Sequence, residues 1–441
     1  MTLSGHAVAA ALWFARRAAR RRLIGAVSIT RAPRSALVAL ALSAIALLTV
    51  AALGPSAAVE PLPGRPPFGW HADPSAGLVT ALLAVTVLAG GYGTLGCLAA
   101  LRRGWALDVK RLLLAAMLVT AALAILAPVG SSDPGSYVAY GRLAATGHDP
   151  YTTPPSALAD SYRGVAEAPW QTTTSVYGPV ATGAQWLAAT IAGDGPEAPA
   201  HAIFLLSLLN AAAFAGTSLL LQRLAAGQAG RRRAAVFFSA NPLLLFEGVA
   251  GAHVDVLLTF FVVAAIAALR ARGWPATLGA FVAGVLGGAA AGVKASAALA
   301  GAGLAWAVRR EPRTEQYGDQ HHEQRQAAGR LLALALGAVA VLVPGYLLAG
   351  PHAFDQLRHA SGFVSFADPW RIVTRPLEAG LGHDGARAVI RVAAWLAFVV
   401  FALMLHHGLP GGRAPGVKTR EPARAALVLL LAWLLTAPYV L

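Results

Sequence analysis

The stretch "SSDPGSYVAYGRLAATGHDPY" (131–151) sets Asp133, Tyr137, Tyr140, Arg142, His148, Asp149 and Tyr151 directly after an apolar run, "RLLLAAMLVTAALAILAPVG" (111–130). A carboxylate in such a place is a candidate general base, or a group that orients an acceptor hydroxyl. Three more clusters carry chemistry. "FEGVAGAHVD" (246–255) holds Glu247, His253 and Asp255; "GVKAS" (292–296) holds Lys294; "GPHAFDQLRHASGFVSFADPWR" (350–371) ends on Trp370 and Arg371. Asp255 opens an apolar segment, where the positive end of a helix keeps a carboxylate ionised. Lys294 precedes another apolar segment, and an ammonium beside free helix N–H groups makes a phosphate site. Tyr137, Trp170 and Tyr177 offer the flat faces and hydroxyls that suit sugar rings.

Each residue also has a plainer reading. Asp133 can cap a helix that starts at Pro134. Tyr137, Tyr140, Trp170, Tyr177 and Trp370 can be belt residues at a membrane interface, with Arg371 on the head groups. His253 can be a satisfied histidine at the rim, and Lys294 can snorkel. Four ionisable clusters reaching one face argue for a functional site, because ionisable groups near hydrocarbon are expensive.

The elements that must position these residues are apolar helices. The chain has 441 residues, of which 57% are apolar and only 12% charged, against about 25% charged in soluble domains. Apolar runs near the spanning length of about 20 residues recur throughout. They fall at 36–56, 77–100, 111–129, 201–222, 234–250, 254–270, 276–293, 297–308, 330–350, 388–407 and 424–441. The sequence therefore predicts an all-α polytopic membrane protein of about 11 spans. The 276–308 stretch is too long for one crossing, and Lys294 and Ser296 break it into two tilted segments. A net charge of +15 would fit nucleic acid, but alternating topology from a cytoplasmic N-terminus gathers most of the lysine and arginine in inner loops. That placement excludes a nucleic-acid partner and makes the lipid bilayer the charge's partner. The lone cysteine, Cys97, excludes an internal disulfide and a multi-Cys metal site.

This topology leaves a basic cytoplasmic segment at 1–35, read as a signal anchor with an interfacial piece at 7–14. A transmembrane domain follows over 36–441, with large outer loops at 130–200 and 351–387. A hydrophilic connector covers 309–329, and a Pro/Gly-rich linker covers 408–422. "PVATGAQWLAATIAG" (179–193) is too short to span without inverting every later loop, so it reads as a re-entrant or interfacial helix on the outer face.

With these residues assembled, the chain resembles the actinobacterial polyprenol-phosphate-mannose-dependent α-1,6-mannosyltransferases of the membrane glycosyltransferase-C superfamily. The resemblance rests on the 131–151 block, "VYGP" (176–179), "NPLLLFEGVAGAHVD" (241–255) and "VKASA" (293–297), and covers roughly 110–310. Val254 stands where the family usually has Asn, and the chain stops at "LLTAPYVL" where a Pro-Trp-Tyr motif and further spans are expected. Leu441 therefore reads as a truncated end.

The resemblance implies inverting transfer of mannose from polyprenyl-phosphate-mannose to a lipid-anchored α-1,6-mannan, outside the plasma membrane. It gives Asp133 the base role, with Asp149 as runner-up. Arg142, Lys294 and His253, with Asp255 and Glu247 beside them, become the donor-binding set. Apart from the resemblance, a displacement at an interface must exclude water, so the two outer loops are expected to close over the site, with "ADPWR" (367–371) as a lid or acceptor platform and Tyr137, Trp170, Tyr177, Trp370 and Arg371 as the acceptor-binding set. No cofactor is expected; a divalent cation remains the alternative, because the spacing of the carboxylates does not demand one. The alternatives are another polyprenyl-phosphate sugar, arabinose or glucose, and a lipid-linked sugar flippase. Flippases place their sites near the midplane, and inner-loop carboxylates matching the outer ones are lacking.

Overall fold

The computed structural model describes residues 33–54, 56–168, 170–309, 320–360, 369–408 and 421–437. The expectations for 1–32, for 310–319 of the connector and 409–420 of the linker, for Ala367 and Asp368 of the lid, and for the chain end at Leu441 lie outside the described residues. Among the described residues the fold is all-helical, with a single isolated bridge pairing Phe68 and Leu126.

Helices α1 (Arg34–Leu53), α2 (Ala76–Arg102) and α3 (Val109–Ile125) open the bundle. Short polar caps start two of them. The Ser75 hydroxyl accepts the Leu78 N–H at 3.3 Å, and the Asp108 carboxylate accepts those of Lys110 and Arg111 at 3.1 and 3.2 Å. Each cap satisfies amides that the first helical turn leaves open.

The segment that follows builds a small core of its own. Helix α4 (Asp133–Ala145) packs on α5 (Pro179–Ala192) and on the start of α6 (Ala198–Leu224). Tyr140, Leu143, Tyr162 and Ile203 are buried between them, and Ala58 joins from the 54–75 connection. Gly141 lets α4 approach closely, since a Cβ there would collide with the Gln185 carbonyl.

Helix α7 (Gly227–Ala234) runs on into a wide π-helical turn at Ala235–Ser239, and a second π-helical stretch covers Leu244–Ala250. Wide turns of this kind gather at functional sites. The chain then bends by 113° into α8 (Asp255–Leu269). At the bend Ala252 holds φ +49°, a left-handed conformation that an alanine adopts only under constraint.

The break expected at Lys294 is present. Helix α9 (Ala276–Val293) stops there, Lys294 is extended (φ −150°, ψ 126°), and α10 (Ala298–Arg309) begins after a short 3-10 turn. Small residues on α9 (Gly284, Gly288) let α11 (Gln320–Ala349) pack against it, backbone to backbone. A short α12 (Asp355–Ala360), α13 (Trp370–Gly408) and α14 (Glu421–Thr436) follow, with α13 broken at Gly382.

The described parts of the eleven apolar runs lie mainly on helices. Among the described residues, six helices are long and apolar enough to cross a membrane, and a seventh span arises if the bent pair is one crossing. Helices α3, α10 and α14 have 17, 12 and 16 residues, which is short for about 30 Å of hydrocarbon at 1.5 Å per residue.

Candidate functional site

Asp133 occupies the first turn of α4, yet it does not cap that helix. Its own N–H donates to Ser131 Oγ at 3.1 Å, and its carboxylate faces away from the backbone amides. Asp133 Oδ2 accepts the Tyr137 hydroxyl at 3.2 Å and stands 3.2 Å from His253 Nδ1. Tyr137 sits one helical turn further along α4, which puts both side chains on one face. His253 arrives from the bend before α8, where the Ala252 conformation turns the chain. Its N–H donates to the Gly248 carbonyl at 3.2 Å, closing the π-helical stretch onto the bend.

The electrostatics follow from these contacts. Partial burial works to raise the Asp133 pKa, but the His253 hydrogen bond and charge, the Tyr137 hydroxyl and the Lys294 charge outweigh it and hold the carboxyl below its ordinary value. The same hydrogen bond to Asp133 raises His253, against the opposing effect of burial. The pair is therefore an ionised carboxylate beside an imidazole that binds its proton more firmly than usual. Burial pushes the hydroxyls of Tyr137 and Tyr177 well above their usual range, so both stay protonated donors.

Lys294, at the break after α9, holds both carboxylate oxygens of Asp255 at 2.9 and 3.1 Å. The lysine side chain is 17% exposed and the aspartate 52%. The segment 177–179 crosses beside this pair, because the Gly178 N–H donates to the Val293 carbonyl at 3.0 Å. A Cβ on Gly178 would collide with the Gly292 carbonyl, so only glycine lets the crossing come this close. Tyr177 thereby meets Tyr137 edge-on, with ring centroids 5.1 Å apart.

A cavity of about 330 Å³ opens beside the cluster. Glu247, His253 and Asp255 form its polar end, while Phe214, Phe238 and Leu244 line the rest. Phe214 and Phe238 stack at 4.9 Å. The lining thus combines ionisable and hydroxyl groups, Thr259 among them, with aromatic and aliphatic side chains.

The structure thus joins Asp133, Tyr137, Tyr177, His253, Asp255 and Lys294, with Glu247 at the cavity wall. Tyr137 and Tyr140 are buried rather than interfacial, because Tyr137 serves Asp133 and the Tyr140 hydroxyl donates to the Thr173 carbonyl at 2.9 Å. The remaining candidates stand elsewhere. Asp149 takes the Tyr151 N–H on Oδ1 at 2.8 Å and lines a second cavity, of about 700 Å³, with Tyr151, Thr182 and Trp186. Arg142 lies nine residues beyond Asp133, about 13 Å along the α4 axis. Its Nε donates to Asp160 Oδ2 at 2.6 Å, and its guanidinium sits 5.4 Å from the Tyr162 ring centre. Trp170 is half-buried on a 3-10 turn, Trp170–Thr172. The Trp370 indole donates to the Thr436 carbonyl at 2.9 Å, tying α13 to α14, and Arg371 is exposed beside it.

Two residues of the surroundings were not foreseen. Asn210, buried in α6, donates from Nδ2 to the Gly248 carbonyl at 2.7 Å, the same oxygen that anchors the His253 backbone. An amide in the middle of the apolar run 201–222 was the signal that could have found it. Trp186 on α5 is 45% exposed at the second cavity; its isolation among small residues in 179–193 was the corresponding signal. Among the described residues, no group of three or more His, Cys, Asp or Glu is arranged to hold a metal ion.

A family model described as alpha-(1->6)-mannopyranosyltransferase, N-terminal domain, matches residues 35–310. That span runs from α1 through α10 and contains every residue of the Asp133–His253 and Lys294–Asp255 pairs. No curated protein and no solved structure matches the chain.

Proposed function

The chain belongs to the alpha-(1->6)-mannopyranosyltransferase family, and from that premise we propose that it moves mannose from polyprenyl-phosphate-mannose to an α-1,6-mannan on a lipid anchor. The family makes it a glycosyltransferase, and its long apolar helices make it a membrane protein. The proposal adds the donor, the acceptor, the outer face of the plasma membrane, and an eleven-span arrangement of the glycosyltransferase-C kind. The placement of arginine and lysine in the sequence supports the orientation.

The observation that carries the reading is the pairing of an ionised Asp133 with His253 beside a largely apolar cavity. In the proposed step, Asp133 accepts the proton of the acceptor's 6-hydroxyl. The freed oxygen attacks the anomeric carbon of mannose, and the bond from that carbon to the phosphate oxygen breaks. Polyprenyl phosphate departs with the bonding electrons. One displacement turns a β donor into an α product. Lys294 stands where an ammonium can receive the growing phosphate charge, and the aromatic cavity holds the polyprenyl chain and keeps water from the donor. No divalent cation enters the reading, because the carboxylates pair with His253 and Lys294 rather than with one another.

A second arrangement of the same chemistry follows from the cavity lining, which includes His253 but not Asp133. There His253 Nε2 takes the proton and Asp133 orients the ring through Nδ1, as a carboxylate does behind a catalytic imidazole.

The test uses purified full-length protein, a polyprenyl-phosphate-mannose donor and a synthetic α-1,6-mannoside. Mannose is expected to appear on the acceptor in α-1,6 linkage, and Asp133→Asn is expected to abolish transfer at unchanged expression. Turnover by that variant at the wild-type rate would remove Asp133 from the reaction. Scrambling of the donor across liposomes without acceptor would replace the transferase reading with a flippase.

A further inference from the structure

The second cavity lies across a thin wall from the Asp133 cluster. Segment 177–179 is that wall. Tyr177, at one end, packs against Tyr137, while Pro179, two residues on, lines the second cavity. Two extended residues reach about 7 Å, so the second cavity comes close to the Tyr137–Tyr177 contact of the cluster. The wall is held from both sides. Gly178 N–H donates to Val293 O at 3.0 Å, and Ser175 N–H donates to Pro150 O at 2.9 Å. The second bond draws the His148–Tyr151 segment, which supplies one flank of the second cavity, towards the wall.

Neither cavity has a lysine or arginine in its described lining. The first is lined by Glu247, His253 and Asp255, and Asp255 pairs with Lys294. The second is lined by His148 and the Asp149 carboxylate, beside hydroxyl and aromatic side chains. Asp149 Oδ1 is engaged by the Tyr151 N–H, and among the described residues Oδ2 has no partner. A carboxylate oxygen placed in this way accepts from neutral hydroxyls. Tyr151 and Thr182 add a hydroxyl pair at 2.9 Å, and Trp186 adds a half-exposed indole face. At the far rim Leu348, 90% exposed at the end of α11, continues the cavity towards the apolar surface of the bundle. Hydroxyl acceptors, a flat ring and an apolar rim together fit a neutral, hydroxyl-rich sugar chain that carries a lipid anchor.

We infer that the second cavity binds the acceptor glycan, with Trp186 stacking on a sugar ring and Asp149 accepting from its hydroxyls, while the donor occupies the first cavity. This rests on the transferase reading and adds to it a place for the acceptor's inner sugars, from which the terminal sugar extends past segment 177–179 to bring its 6-hydroxyl to Asp133. It also gives Asp149 a binding role in place of a catalytic one, on the far side of the wall from Asp133.

The experiment measures binding apart from turnover. Full-length protein in lipid nanodiscs is titrated with an octyl α-1,6-mannotrioside and, in parallel, with octyl β-glucoside, by saturation-transfer NMR. The trioside is expected to bind the wild type more tightly than the glucoside. Trp186→Ala is expected to weaken the trioside at least tenfold, and Asp149→Asn several-fold, with the polyprenyl-phosphate donor's Kd unmoved in both. Equal binding of the two octyl glycosides would make the cavity a lipid groove and overturn the inference. Unchanged trioside affinity in Trp186→Ala, or in Asp149→Asn should the tryptophan variant not fold, would overturn it as well. Mannose transfer by the wild type is scored separately. Its absence, with Trp186-dependent trioside binding intact, removes the transferase reading and leaves the glycan site standing.

Discussion

Asp133, on the first turn of α4, and His253, at the bend before α8, meet with 3.2 Å between Oδ2 and Nδ1. The contact depresses the aspartate's pKa and raises the histidine's. Removing His253 therefore returns Asp133 towards the ordinary carboxylate range. If Asp133 is the base, His253→Ala retains measurable transfer, and the acid limb of its kcat/KM profile moves to higher pH, since Asp133 must be ionised to act. If His253 is the base, the same variant is dead at every pH. A pH–rate profile of wild type and variant decides between the two.

The pair also makes stability depend on pH, and both signs can be stated. A depressed Asp133 stabilises above the unfolded aspartate pKa of about 3.9 and loses that contribution as pH falls through its folded value. A raised His253 stabilises fully below the unfolded histidine pKa of about 6.5 and loses that contribution as pH rises through its folded value. The pair is therefore most stabilising between about pH 4 and 6.5. Thermal unfolding of wild type against His253→Gln should differ most inside that window and converge outside it; a constant difference across pH would deny the ion pair.

Lys294 is held by Asp255. In the proposed reaction it turns to the donor phosphate, a charged hydrogen bond worth about 1.5–3 kcal/mol. Lys294→Gln should raise the donor's KM roughly 10- to 100-fold, at about 1.4 kcal/mol per decade, and leave the acceptor's KM in place. Asp255→Asn, which removes the competing carboxylate, should keep donor affinity or tighten it. A purely structural pair would instead lower the melting temperature in both variants with neither KM changed.

Asn210 reaches the site only through the Gly248 carbonyl, which it shares with the His253 N–H. It is a positioning residue. Asn210→Leu should cut kcat about tenfold, the effect of losing one hydrogen bond of about 1.4 kcal/mol at the transition state, with both KM values near normal. The acid limb should shift in the His253→Ala direction, but by less. An unchanged pH profile beside a lower melting temperature would reduce Asn210 to a packing residue.

The sequence places Trp370 on a lid or acceptor platform, and in the structure its indole donates to Thr436 O. Trp370→Phe keeps the ring and removes that bond, at a cost of about 1 kcal/mol. The melting temperature should fall while both KM values hold. A rise in the acceptor's KM alone would restore the platform role.

The sequence by itself determined where most of the apolar helices run, and the interruption at Lys294 and the bend around His253 fall where the sequence put them. It left 351–387 as a loop, where the structure has α12 and the start of α13 at Trp370, because polar residues there mask the helical pattern. The resemblance in the 131–151 and 241–255 blocks also pointed to the family that residues 35–310 match. Tertiary structure decided the partners. Arg142 and Asp149 sit on the same block as Asp133, yet one is taken by Asp160 and the other lines a different cavity. Lys294 meets Asp255, and Asn210 supports Gly248, through contacts between distant segments. Hydropathy reports that a helix is buried without saying which face meets which neighbour, so periodicity could list the ionisable residues but could not pair them. Spans presented the same difficulty: short helices such as α10 are apolar enough to read as crossings, and their depth is set by the helices packed around them rather than by their own composition.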